Sequence, residues 1–90
     1  MTVEKDRNCF QLVSDVAALG RIIRNHRKRS GLSRQALADI AGIGKTAVFD
    51  VEHGKATVKL STLLPVLNVL NIEIALTSPL MAEYTKRDTP

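Results

Sequence analysis

Apolar residues recur at helical spacing along most of this chain and at strand spacing near its end. Val16, Leu19, Ile23 and Arg27 fall on one stripe at steps of three and four, which predicts a helix over 15–30. Ser14 is placed to cap it, Asp15 lies in the first turn where the helix dipole favours a carboxylate, and Gly31 ends it. Leu37, Ala38 and Ala41 predict a second helix over 34–41, with Ser33 as its cap and Gly42 in the left-handed position that stops it. Val48 and Val51 predict a third helix over 45–53, stopped by Gly54. A fourth, over 61–70, would bury Leu63, Leu64, Leu67 and Leu70. Pro65 suits its first turn or a mild kink, because proline lacks an amide proton and crowds the preceding turn.

From Asn71 the period changes to two. Ile72, Ile74 and Leu76 face one way, while Asn71, Glu73, Ala75 and Thr77 face the other, which predicts a strand ended by Ser78-Pro79. A lone strand leaves its backbone groups unpaired. It can pair with residues 10–13 of the same chain, or with its twin across a two-fold axis, and the twin is preferred. The expected organisation is an N-terminal extension over 1–13, one domain over 14–77 and a flexible tail over 78–90, whose Leu80, Met81 and Tyr84 can dock on a partner.

Composition narrows the function. Ninety residues allow one small domain, and two Phe, one Tyr and no Trp leave the core to aliphatic side chains, which favours packed helices over a deep ligand cavity. The net charge is +4 and the pI about 9.6. Arg21, Arg24, Arg27, Lys28 and Arg29 crowd the first helix, and Lys45, Lys55 and Lys59 lie further on, so an anionic partner is expected. The single cysteine, Cys9, excludes an internal disulfide and reads as a small buried hydrophobe or an inert thiol. With His26 and His53 it makes no zinc site. Charges through the first fifteen residues leave no signal peptide, and Pro65, Asn68, Asn71 and Glu73 interrupt the longest apolar run, so no membrane span is expected. The reducing cytoplasm is the expected compartment, with no cofactor, no metal and no enzymatic activity.

Helix, glycine turn at 42–44, helix is the shape of a helix-turn-helix, which makes double-stranded DNA the first partner to consider. At about 100° per residue, Gly44, Val48 and Val51 share the inner side of the third helix, with Ala47 beside them. Thr46, Phe49, Asp50 and His53 share the outer side, and Lys45 stands at the first turn. Lysine can donate to guanine, aspartate can accept from cytosine N4, threonine can do either, and an aromatic ring can touch a thymine methyl. His26 and His53 read as surface or phosphate-contacting residues. Arg27 on the inner stripe and Glu52 at the edge of the third helix are candidates for a structural salt bridge. Gly44-Lys45-Thr46 resembles the end of a P-loop, but Asp39 stands where that motif needs glycine and a helix stands where it needs a strand. No Ser/His/Asp set or carboxylate pair points to catalysis.

The residues Leu19-Gly20, Ile23-Arg24, Arg27, Gly31-Leu32-Ser33, Leu37-Ala38, Gly42, Val48 and Val51-Glu52-His53-Gly54-Lys55 resemble the Xre, or lambda-repressor-like, helix-turn-helix family. The resemblance implies an all-α domain of four or five helices with a short C-terminal β-strand that pairs across a dimer. It implies a salt bridge between Arg27 and Glu52, backbone contacts from Arg34 and Lys55, and base contacts from Lys45, Thr46 and Asp50. The expected DNA-binding set is Ser33, Arg34, Lys45, Thr46, Phe49, Asp50, His53 and Lys55, and the expected dimerisation set is Ile72, Ile74 and Leu76. A narrower stretch, 55–60 with Leu63-Leu64 and 69–74, resembles the HipB-type antitoxins. That likeness implies a bacterial, nucleoid-associated homodimer that represses its own operon at a palindromic operator and binds a HipA-type serine/threonine kinase toxin. A plain phage-type or restriction-modification controller repressor is the alternative.

Overall fold

A computed structural model describes residues 10–84 of the chain. The expectations for residues 1–9, Cys9 among them, and for 85–90 of the tail lie outside the described residues. Among the described residues four helices follow one another: α1 (Val16–Arg29), α2 (Arg34–Ala41), α3 (Lys45–Glu52) and α4 (Leu60–Val69), with a 3-10 turn at Met81–Glu83. The architecture is all-α.

Local chemistry sets the boundaries. The cap of α1 is Asp15, not Ser14: its backbone is extended (φ −150°, ψ 164°) and its carboxylate accepts from the Ala18 amide at 2.7 Å. Asp15 therefore stands outside the helix it starts. Ser33 caps α2 by accepting from the Ala36 amide at 3.0 Å. Gly44 begins α3 and Lys59 begins α4, neither through a side-chain cap bond. All four helices stop alike, with an amide just past the helix end reaching back five residues: Leu32 to Arg27, Ile43 to Ala38, Lys55 to Asp50 and Ile72 to Leu67, at 2.9–3.1 Å. Three of these stops use glycine at positive φ, and the fourth uses Asn71 at φ 57°, which asparagine tolerates better than most residues. His53 closes α3 as its C-cap, one residue earlier than the spacing predicts.

The core is aliphatic. Ile23 of α1, Leu37 and Ala38 of α2, Val48 and Val51 of α3, and Val66, Leu67 and Leu70 of the last helix and its cap form one buried cluster. Leu19, Leu32, Ala41, Ile43, Val58, Leu63 and Ile72 pack on its edge. Two expected core members are outside it: Val16 is 49% and Leu64 45% exposed. For α4 the reason is that the helix starts at Leu60 and presents Val66, not Leu64, to α2 and α3. Pro65 lies inside this helix, in its second turn rather than its first, so the Ser61 carbonyl loses its helical donor; Ser61 is exposed, and water can take that place.

The strand expected over 71–77 is not formed. Among the described residues there is no strand, and residues 73–77 make no backbone hydrogen bond to another segment. Pairing with 10–13 is absent as well. The alternation of Ile72, Ile74 and Leu76 supplies a strand pattern, but a strand exists only with a ladder partner, and the described residues hold none. Ile74 and Leu76 are consequently 54% and 75% exposed.

Candidate nucleic-acid interface

The helix pair α2–α3 is anchored from below by two close approaches to α1. A methyl group on Gly20 would fall 2.6 Å from the Val51 carbonyl oxygen, and one on Gly54 would fall 2.7 Å from the Ala17 Cα. Only residues without a Cβ let the C-terminal end of α3 lie flush on α1. At the same junction Glu52 is buried and accepts from two arginines. Arg27 Nε donates to Oε2 at 2.5 Å and Arg27 Nη2 to Oε1 at 3.2 Å, while Arg34 Nε donates to Oε1 at 3.0 Å. Arg27 Nη1 donates to the Leu32 carbonyl at 2.8 Å. The cluster thus ties the ends of α1 and α3 to the start of α2. Burial pushes the Glu52 carboxyl up, but the hydrogen bonds and charges of Arg27 and Arg34 outweigh it and hold the group below the ordinary carboxylate range.

With its inner side fixed, α3 turns the rest outward. Lys45 and Thr46 are exposed at its first turn. Phe49 is 45% exposed. His53 is exposed, donates from Nδ1 to the Phe49 carbonyl at 2.8 Å and stacks on the Phe49 ring with centroids 3.9 Å apart. The Arg34 guanidinium lies 5.2 Å from that ring's centroid. Asp50 is half-buried and its carboxylate lies 3.6 Å from Lys55 Nζ, so it is engaged with a lysine rather than left free on the surface. Ser33 spends its oxygen on the α2 cap. Arg21, Arg24, Lys28 and Arg29 line the exposed side of α1.

Two features escape a reading of the chain. The bond from Arg34 to Glu52 spans eighteen residues and has no signature in spacing. The stack of His53 on Phe49 does have one, since the two are four apart on a helix and side chains at that interval meet. Chemically, the face offers cationic donors, one hydroxyl and one apolar ring on a narrow convex rod, a form that fits a major groove. Among the described residues no group of three or more His, Cys, Asp or Glu can hold a metal ion, and no helix is long and apolar enough to cross a membrane.

Comparison with known proteins agrees with this geometry. The Helix-turn-helix family HTH_3 matches residues 23–76. The chain is 36% identical over 66 residues to the "Uncharacterized HTH-type transcriptional regulator y4mF" of Sinorhizobium fredii, covering 73% of this chain and 83% of that protein. It is similar to the restriction-modification controller protein C.AhdI from Aeromonas hydrophila, at 33% identity and a TM-score of 0.58, over 64% of this chain and 88% of that one. It shares its fold with a chain in the structure of a HipA-HipB-O2-O3 complex, at 21% identity and a TM-score of 0.71, over 78% of this chain and 99% of that one.

Proposed function

The chain belongs to the Helix-turn-helix family HTH_3, of the Xre type, and on that footing we propose that it is a sequence-specific transcriptional repressor that binds a palindromic operator as a homodimer. One observation carries the reading: the buried Arg27–Glu52–Arg34 cluster fixes α3 so that Lys45, Thr46 and Phe49 stand exposed together on its outer side. That helix enters the major groove. Lys45 and Thr46 at its first turn meet base edges, and Arg34 and Lys55 meet phosphates. Asp50 orients Lys55 through their ion pair and reaches a base only if the lysine moves to the backbone.

The dimer follows from what one copy leaves open. A shallow groove lined by Ser61, Leu64, Pro65, Leu67, Ile72 and Ile74 runs beside the unpaired segment 73–77. A second copy fills it, pairing the two segments around Ile72, Ile74 and Leu76 and setting the two α3 helices at half-sites about 34–36 Å apart or a multiple of that.

Two finer roles fit this scaffold. The likeness of 55–74 to HipB-type antitoxins favours the antitoxin of a HipA-type kinase, whereas the 33% identity to C.AhdI favours a controller without a toxin partner. Co-purification with a HipA-type kinase encoded beside this chain separates them: a complex at micromolar concentration supports the antitoxin role, and its absence the controller. The shared DNA role is tested by selecting duplexes from a randomised library and measuring Lys45→Ala, Thr46→Ala and Lys55→Ala on the winner. Lys45→Ala and Thr46→Ala should lose sequence preference. Unchanged affinity and preference in all three would sink the docking.

A further inference from the structure

Phe49 is exposed, yet it is held from both of its neighbours. His53 stacks on it with planes 20° apart, and the imidazole is itself fixed by its bond to the Phe49 carbonyl. Arg34 lies over the ring, and its Nε is fixed by Glu52, whose side chain is wholly buried. The position of the ring is therefore set by contacts that end in the core. An apolar group exposed and already immobilised loses little freedom when something touches it. The core does not need the ring: it closes on Val48 and Val51, on the other side of the helix.

Lys45 lies one turn before Phe49 on the same helix, and in a major groove the polar base edges can be met by Lys45 and Thr46. The one apolar feature a base pair offers there is the 5-methyl group of a pyrimidine. We infer that Phe49 is a specificity-determining residue that reads a pyrimidine 5-methyl group, that of thymine or of 5-methylcytosine, with His53 and Arg34 as positioning residues that hold its ring. The inference rests on the DNA-binding reading above and deepens it. It makes the operator's preference depend on a methyl group that forms no hydrogen bond.

The experiment uses the full chain and the operator it selects from a randomised duplex library. Each thymine of a half-site is replaced singly by deoxyuridine, which removes the methyl and nothing else, and binding is followed by fluorescence anisotropy. One replacement should weaken the wild-type chain about fourfold, the worth of one buried methyl. The same replacement should leave Phe49→Ala unchanged and Phe49→Leu only partly affected. His53→Ala should lower the ratio of thymine to uridine affinity, a ratio that the loss of a phosphate contact alone would leave unmoved. An operator on which every uridine duplex weakens the wild type and both Phe49 variants equally overturns the inference alone. A chain that selects no sequence overturns the DNA reading and this inference with it.

Discussion

Gly20 of α1 lies so close to the end of α3 that a methyl group placed on it would fall 2.5 Å from the carbonyl oxygen of Glu52. The obstacle is backbone, which cannot swing aside as a side chain can. Gly20→Ala must push α3 off α1, and the cost should be about 1–3 kcal/mol, the range for overpacking a tight core. Urea unfolding of the variant should show a lower midpoint at an unchanged slope, and a midpoint equal to wild type would mean that the seam is looser than the structure has it.

Glu52→Gln keeps the shape of the side chain and removes its charge. Arg27, 6% exposed, is then buried without its counter-charge. Breaking a buried pair from one side costs about 3–5 kcal/mol. Chemical denaturation should find a loss in that range, and the double variant Arg27→Met with Glu52→Leu should recover much of it. A double variant less stable than Glu52→Gln would count against the cluster as the source of the loss.

Acid should act through the same carboxylate. The arginines hold the folded-state Glu52 below the ordinary carboxylate range, so its contribution is complete above that range and is lost as the pH falls through the depressed value. Stability measured from neutrality down to about pH 3 should fall more steeply for wild type than for Glu52→Gln, so that the two curves converge at the acid end. Parallel curves would assign the acid loss to other groups.

The helices were legible because each carries a 3.6-residue pattern and a stop that glycine or asparagine writes plainly. The strand pattern of 71–77 was equally plain, and it misled, because alternation records which face is apolar and not who sits opposite. Leu64 lies outside the core for a related reason: a largely apolar α4 offers several stripes, and only the neighbouring helices choose between them. On α3 the spacing correctly turns Thr46, Phe49 and His53 outward, but Asp50 is half-buried and Gly44, expected inside, is exposed. The rigidity of that face was not legible, since the Arg34–Glu52 bond joins residues far apart in sequence.

The exposed face of α4 gives an oligomerisation test. Ile74→Pro removes a ladder donor, and Leu64→Asp places a charge in the groove. Sedimentation should show wild type as a dimer and both variants shifted toward monomer, with helix content intact by circular dichroism. Dimers that survive both changes would mean that the copies meet elsewhere.

Lys55 should behave as a phosphate contact. Lys55→Ala is expected to weaken all sequences alike and to lower the slope of log affinity against log salt by about 0.9. A change in sequence preference instead would move this lysine, or its partner Asp50, to the base edges.

The Glu52 cluster also has an electrical imbalance. It gathers two guanidinium groups around one carboxylate, and the three cannot sum to zero. Arg27 and Glu52 are shut in, whereas the Arg34 side chain keeps 27% of its surface. The unit of charge left over therefore emerges at Arg34, beside the ring of Phe49. The ion cluster that clamps three helices together leaves a fixed cation at the rim of the outer face, in place before any anion arrives. A chain folded this way holds its one uncompensated guanidinium on a rigid mount at the edge of that face.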